Sequence, residues 1–194
     1  MMLLYTLLLL FCSTAQADRF VSFDNVRSIT EKVHYAMHHK LRGVMAWQAA
    51  ADKTGTLAHA VNDNIKPNKE FILYFPNYVI GKRDYQIEDL EQLLKKNPHI
   101  TTVIYGFAKP EGNGTINFDN LEADFGIKID ENGKEGKVRI GNLEKLKKLK
   151  KKFPSIKLLL CVGGWTYKKG FFEAASNNNL KKLAYNCIGL LGTL

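Results

Sequence analysis

The segment Leu158-Leu159-Leu160-Cys161-Val162-Gly163-Gly164-Trp165 decides the fold class. With Ile156, one residue further back across Lys157, the apolar run predicts a strand over 156–162 that is buried on both faces of a parallel sheet. The two glycines and the tryptophan end this strand. Parallel strands need crossover connections, usually helices, so the run favours an α/β fold.

Three further apolar runs precede this one and alternate with helical patterns. The predicted strands cover 44–47, 71–75 and 100–107, and the predicted helices cover 26–39, 57–61, 90–96, 143–153 and 180–191, the first of them capped by Asp24. Residues 109–141 are rich in Gly, Asn and Asp and are predicted to form a long polar excursion, in which Glu122 and Asp124 are expected to be solvated. The alternation predicts one parallel sheet with crossover helices.

Aromatic residues or glycines follow each apolar run. They are Trp47, Tyr74 with Tyr78, Phe107, and Gly164 with Trp165. In parallel α/β folds the ligand site lies at the carboxyl ends of the strands. Aromatic faces there suit a carbohydrate, whose C–H groups stack on rings while its hydroxyls form hydrogen bonds. The pattern alone leaves open a second interpretation, in which these rings belong to the core.

The amino terminus is typical of an export signal. Leu3 to Cys12 is almost wholly apolar, and Ala15-Gln16-Ala17 fits a small-residue cleavage pattern. The run is too short to span a bilayer comfortably. We therefore predict a signal peptide over 1–17, cleavage after Ala17 and a secreted product.

The net charge of +9 comes largely from lysines between Lys145 and Lys152, on a helix whose apolar residues recur at helical spacing. The preferred interpretation is a solvated lysine face, and the alternative is a basic module that binds anionic surfaces. We expect neither nucleic acid nor membrane as a partner. His34 and His38 lack a third ligand, so no metal or cofactor is predicted. A disulfide between Cys161 and Cys187 is left open.

Three of the predicted strands are similar to consecutive barrel strands of the family 18 chitinases. Phe71 to Tyr78 resembles the first strand of that family and Ile100 to Ala108 the second. Leu158 to Trp165 resembles the third strand, with Cys161 in place of the usual serine. The resemblance covers about residues 70–194.

An earlier segment resembles the other end of the same barrel. Ser22 to Asp52 looks like the last helix and the eighth strand, with Val44 to Trp47 as the strand itself. The implied organisation is a signal peptide over 1–17, an end-of-barrel segment over 18–62, a linker over 63–69 and a start-of-barrel segment over 70–194. A degraded or truncated tandem gene and a deliberate rearrangement both explain this order.

This resemblance implies a partial (β/α)8 TIM barrel with about half of its strands. Because the eighth strand of a closed barrel neighbours the first, the strands are expected in the order eight, one, two, three. Such a half-barrel leaves two open edges and an uncovered inner face, which favour self-association.

The resemblance also carries an expected function. Family members cleave β-1,4-linked N-acetylglucosamine polymers, with a glutamate of an Asp-x-x-Asp-x-Asp-x-Glu motif as the general acid. This sequence ends at Leu194 without that motif, so no catalytic residue is assigned. The implied sugar-binding residues are Trp47, Tyr74, Tyr78, Phe107, Gly164 and Trp165. We expect a chitinase-like fragment that binds chitin oligomers, with a non-enzymatic lectin or scaffold and a basic surface-binding module as alternatives.

Overall fold

A computed structural model describes residues 21–79, 84–137 and 139–190, so the predicted signal peptide lies outside the described residues. The described helices are α1 (Val26–His38), α2 (Thr56–Asn64), α3 (Ile87–Lys96), α4 (Leu121–Phe125), α5 (Asn142–Lys152), α6 (Lys168–Ser176) and α7 (Leu180–Gly189). The strands are β1 (Gly43–Ala46), β2 (Glu70–Pro76), β3 (Thr102–Pro110), β4 (Ile116–Asn117), β5 (Ile127–Ile129), β6 (Glu135–Lys137) and β7 (Lys157–Val162). Short 3-10 helices cover Ala49–Ala51 and Asn77–Val79.

Four strands form a parallel sheet in the order β1-β2-β3-β7. Ala46 pairs with Leu73, Tyr74 with Ile104, and Gly106 with Cys161. This order confirms the strand arrangement predicted from the sequence. β4 adds antiparallel to the end of β3, and β5 and β6 form a separate hairpin. Within the described residues the sheet stays open and no closed barrel forms.

The hydrophobic core lies between one face of the sheet and the helices. Successive strand residues point to opposite faces, so Phe71, Leu73 and Phe75 of β2 face the helices and are at most 2% exposed. Leu90 of α3 and Leu146 of α5 pack against this face and are fully buried. The helix layer therefore covers one side of the sheet, and the other side is the inner face of the half-barrel.

The expectation that β7 is buried on both faces is wrong. Leu159 is 48% exposed, and its neighbours Leu158 and Leu160 are only partly buried. Leu159 points to the inner face, whereas the two neighbours point to the helix layer. The apolar composition of β7 is suited to a barrel interior, but the four strands do not enclose one.

Several element boundaries also differ from the predictions. Asn25, not Asp24, caps α1, because its side chain accepts a hydrogen bond from the Ser28 backbone N–H at 2.9 Å. Helix α2 extends to Asn64 and so enters the predicted linker over 63–69. The excursion over 109–141 is not structureless, since it contains helix α4 and three short strands.

The lysine-rich helix α5 has the predicted amphipathic pattern. Leu143, Leu146 and Leu149 are buried, while two lysines of the opposite face pair with α3. Lys145 lies 2.8 Å from Glu88, and Lys152 lies 2.8 Å from Glu91. The lysine face is thus partly neutralised inside the fold.

Two further observations concern the thiols and the helix lengths. Cys161 and Cys187 are both free thiols, so no disulfide joins them. Among the described residues, no helix combines the length and the apolar character that a membrane crossing requires.

Candidate functional site

Three aromatic rings meet at the carboxyl ends of β1, β2 and β3. The ring centroids of Trp47 and Tyr74 lie 4.9 Å apart, those of Trp47 and Phe107 5.9 Å, and those of Tyr74 and Phe107 6.3 Å with nearly parallel planes. We call Trp47, Tyr74 and Phe107 the aromatic platform. Its side chains are brought together from positions 27 to 60 residues apart in the sequence.

The sheet register explains why these rings meet. Because Ala46 pairs with Leu73, the next residues along the two strands, Trp47 and Tyr74, are neighbours on the inner face. Tyr74 in turn pairs with Ile104 on β3, three residues before Phe107. Strict alternation would turn Phe107 towards the helices, but the register shifts between Gly106 and Ala108, and the ring lies beside Trp47 and Tyr74. Trp47 is 53% exposed, whereas Tyr74 and Phe107 are half-buried. Trp47 therefore exposes ring surface to solvent, while Tyr74 and Phe107 pack against it and are largely covered by their neighbours.

Burial governs the ionisation of the Tyr74 phenol. Loss of solvation, with a smaller contribution from the nearby Cys161 thiol, raises the pKa of Tyr74 above its usual value. The phenol is consequently protonated over the ordinary pH range. It can both donate a hydrogen bond to a ligand and accept one.

The two glycines after β7 have a structural reason for being glycine. Gly163 and Gly164 have φ values of +97° and +105°, which residues with a Cβ rarely adopt. A Cβ on Gly164 would lie 3.0 Å from the Phe107 ring, and one on Gly163 would lie 2.4 Å from the ring of Phe171. The bare backbone thus lets Phe107 lie close against the end of β7.

Trp165 and Tyr78 stand apart from the platform contacts described above. Trp165 is 92% exposed, and the ammonium of Lys168 lies 5.8 Å from its ring centroid. Tyr78 is 38% exposed, on the 3-10 helix that follows β2. The sugar-binding roles of all six residues singled out by the sequence, including Gly164, stay predictions.

Asp124 overturns the expectation that the acidic residues of the 109–141 excursion are solvated. Its side chain is fully buried and accepts hydrogen bonds from the Tyr105 hydroxyl and, at 3.1 and 3.2 Å, from the Asn77 amide. Asn142 of α5 donates to the same hydroxyl at 3.4 Å. We call Asn77, Tyr105, Asp124 and Asn142 the buried polar network. It ties the excursion to the ends of β2 and β3, directly behind the platform.

The ionisation of this network is shifted by burial. Loss of solvation raises the pKa of Asp124 to about 6, and the hydrogen bonds from Tyr105 and Asn77 only partly oppose that rise. Burial, together with the nearby carboxylate of Asp124, also raises the pKa of Tyr105 far above its usual value. Tyr105 pairs with Phe75, whose side chain faces the helix layer, so its hydroxyl lies on the side of the sheet opposite to Tyr74.

A polar cluster that the sequence did not reveal lies at the end of β3, two residues beyond Phe107. The Lys109 ammonium is 3.1 Å from Glu111 and 3.8 Å from Asp119. Hydrogen bonding to Glu111, and the charges of both carboxylates, raise the pKa of Lys109. Tyr167, two residues after Trp165, interacts with Asp119. These residues follow no motif, so only the fold brings them together.

Comparison with known proteins identifies the family profile that fits this chain. The profile described as glycosyl hydrolases family 18 matches residues 10–52 and 70–194. The two matched segments contain β1 and the strands β2, β3 and β7 respectively.

Three curated relatives illustrate the similarity. Chitinase 1 of Aphanocladium album is 31% identical over 122 residues, which cover 61% of this chain and 28% of the relative. Chitinase C of Streptomyces lividans is 32% identical over 111 residues, covering 54% of this chain and 18% of the relative. Endochitinase 1 of Metarhizium robertsii is 33% identical over 106 residues, covering 54% and 24%. The chain thus aligns with between about a fifth and just over a quarter of each of these relatives.

Proposed function

The chain belongs to glycosyl hydrolase family 18, and on that premise we propose that it binds chitin oligomers on the aromatic platform without hydrolysing them by itself. The observation that carries the proposal is the clustering of Trp47, Tyr74 and Phe107 within 4.9–6.3 Å at the strand ends. The names of the relatives, which are chitinases, supply the choice of sugar.

The platform has the chemistry that an N-acetylglucosamine ring needs. The exposed face of Trp47 offers an apolar surface for the C–H groups of a pyranose ring. The protonated Tyr74 phenol can donate to a sugar oxygen or to the acetamide carbonyl. We assign the outer contacts to Tyr78 and Trp165, and the close backbone approach to Gly164.

The absence of hydrolysis follows from the chemistry that the platform lacks. Neither an indole, a phenol nor a phenyl ring is an effective acid towards a glycosidic oxygen near neutral pH, and general acid catalysis contributes a factor of about 10² to 10⁴. The printed sequence contains no Asp-x-x-Asp-x-Asp-x-Glu motif. In this proposal residues 1–194 bind chitin oligomers as a lectin-like module and do not themselves supply the general acid.

Calorimetry with N-acetylglucosamine oligomers of four to six units tests the binding. We expect Trp47→Ala to weaken binding by about tenfold or more, the usual size for a central aromatic contact. Tyr185→Ala is the matched control, because Tyr185 is an exposed aromatic residue on α7 away from the platform. Equal losses for both variants, or no binding by the unaltered chain, would reject the platform as the site.

Hydrolysis is tested separately with a chromogenic chitobiose substrate. We expect no release of the chromophore above that of a protein-free sample. Turnover by the unaltered chain would show that a proton donor exists outside the proposed scheme, whatever the binding result.

Two further proposals complete the assignment. We propose that the chain is secreted after cleavage following Ala17, which mass measurement of the exported product tests. We also propose that it associates with itself through its open sheet edges.

Binding to anionic vesicles is not favoured, because Lys145 and Lys152 of α5 already pair with Glu88 and Glu91.

A further inference from the structure

We infer that two copies of this chain lie side by side and together form one closed eight-stranded barrel. In this dimer β7 of each copy enters a slot beside β1 of the other. The inference deepens the proposed self-association and is independent of sugar binding. It rests on the two free edges, on an apolar slot at one of them, and on the apolar strand at the other.

The four parallel strands are half of what a closed barrel needs. They run in the order β1-β2-β3-β7, so β1 and β7 are the two outer parallel strands of the described sheet. A closed barrel of parallel strands with outer helices typically contains eight strands. When β7 of one copy adds in parallel to β1 of another, and the reverse, a two-fold axis closes the ring and both edges of the parallel sheet become paired.

The slot lies along the edge of β1, on the helix side. It is a cavity of about 400 Å3 between α1 and β1, lined by apolar residues that include Val33, Ala36, Val44 and Ala46. Gln48 also lines it, only 6% exposed, and its Oε1 atom has no hydrogen-bond partner within the described residues. A buried acceptor of this kind normally has a donor. The backbone N–H groups of an entering strand would supply one.

The strand that would enter the slot is apolar on both faces. Leu158 and Leu160 point to the helix layer and are only partly buried, whereas Leu159 points to the inner face and is 48% exposed. In the closed ring Leu158 and Leu160 would fill the slot beneath α1 of the other copy. Leu159 would join Met45, which is 56% exposed, in the barrel interior.

The exposed apolar side chains at the two edges supply a substantial part of the area that a stable dimer buries. Tyr35, Leu41 and Met45 beside β1 are 61%, 46% and 56% exposed, and four residues of β7 from Leu158 to Cys161 are at least partly exposed. At on the order of 100 Å2 for each half-exposed side chain, Tyr35, Leu41, Met45 and Leu159 alone would bury about 400 Å2 per copy. The partly exposed Leu158, Leu160 and Cys161 add to this area. Stable interfaces bury about 800 Å2 per partner.

Barrel geometry also fixes the register of the new strand pair. Met45 pairs with Ile72, Ile72 with Thr102, and Thr102 with Lys157. Met45 and Lys157 therefore lie at the same height in the sheet. A barrel of this type has a shear of about eight, which means that strand pairing followed once around the barrel returns to its first strand about eight residues away from its starting point. Two-fold symmetry assigns about four residues of this displacement to each half. A shift of four from Lys157 reaches Cys161, at the end of β7, or Phe153, which lies outside the strand. Only the first keeps the strands paired, and it places Cys161 opposite Met45 of the second copy.

This register gives a direct test by cross-linking. In Met45→Cys, made in a Cys187→Ser background and treated with an added thiol oxidant, the new thiol and the native Cys161 of the second copy should form a disulfide and so a covalent dimer, because Cα atoms of paired strand residues lie within disulfide reach. The oxidant takes up the two electrons and the two thiol protons are released. Adding Cys161→Ser should abolish the cross-link. Ile129→Cys is the matched control, since Ile129 is 49% exposed on β5, away from both edges.

Sedimentation of the purified chain tests the assembly without oxidation. We expect a species of twice the chain mass at micromolar concentration. Leu159→Lys should shift it to monomer by placing charges in the closed interior, whereas Ile129→Lys should not. Circular dichroism checks that both variants keep the helix content of the unaltered chain.

Several outcomes would overturn the inference. They are a monomer at all concentrations up to 100 µM, open-ended polymers without a dimer, a Leu159→Lys dimer, or cross-linking of Met45→Cys no faster than that of Ile129→Cys. Calorimetry on the unaltered chain separates this result from the proposed function, because a dimer that binds no chitin oligomer refutes only the sugar site.

Discussion

Replacing the buried Asp124 with asparagine should change how the stability of the fold depends on pH. Asp124 is fully buried, and its pKa is raised from 3.8 to about 6, chiefly by loss of solvation. Asparagine has nearly the same shape and stays neutral at every pH. The amide therefore stands in for the protonated carboxyl, and comparing the two proteins isolates the titration of one group.

The sign follows from linkage between protonation and folding. Because the pKa in the folded state lies above the value in the unfolded chain, the folded state binds the proton more tightly. The stabilisation from protonation is complete below pH 3.8 and is lost as the pH rises through about 6. The shift corresponds to about 3 kcal/mol at neutral pH, since one pKa unit is worth about 1.4 kcal/mol.

Urea denaturation followed by circular dichroism between pH 3.5 and 7.5 measures the effect. We expect the free energy of unfolding of Asp124→Asn, relative to that of the unaltered chain, to rise by about 3 kcal/mol across this range. Glu131→Gln, which removes an exposed carboxyl of the same excursion, should give a nearly constant difference. A constant difference for Asp124→Asn, or one that falls with pH, would refute the assignment of a buried, desolvated carboxyl.

Two further substitutions test the packing behind and beside the platform. Tyr105→Phe removes the hydroxyl that donates to Asp124, so it should cost about 1–3 kcal/mol of unfolding free energy, with a larger cost at pH 7.5 than at pH 4; equal costs would contradict the network. Gly43→Ala places a Cβ 1.9 Å from the Glu70 carbonyl oxygen, so it should lower the urea midpoint by forcing β1 from β2, whereas Gly136→Ala, with nothing within 4 Å, should leave the midpoint nearly unchanged.

The sheet could be predicted because its information is local and periodic. Each strand is an apolar run ended by an aromatic residue or a glycine, and the resemblance to barrel strands gave their spatial order. The pairing of Ala46 with Leu73 and of Gly106 with Cys161 agrees with that order. The meeting of Trp47 and Tyr74 then follows from register, whereas Phe107 joins them only because the pairing of β3 with β7 shifts between Gly106 and Ala108, which no sequence pattern indicates.

The errors arose where burial depends on distant parts of the chain. Asp124 lies in a polar stretch and has the composition of a solvated loop, yet Asn77 and Tyr105, 47 and 19 residues earlier, bury it. Leu159 shows the reverse case, since its apolar run suits a closed interior that four strands alone do not provide. Local composition reports what a residue tolerates, whereas its burial is decided by tertiary neighbours.

Sugar binding and sugar cleavage make different demands on a half-barrel. Stacking needs one wall, and in the proposed site two neighbouring strands would supply it, because Trp47 and Tyr74 adjoin across a single strand pair. Acid catalysis needs a carboxyl held within hydrogen-bond reach of the glycosidic oxygen while the ring is fixed elsewhere. Glu111 and Asp119, at the end of β3, are both engaged by Lys109. On the proposed function, binding would therefore use a part of the barrel that does not support turnover, and closure by a second copy would add a second platform rather than an acid.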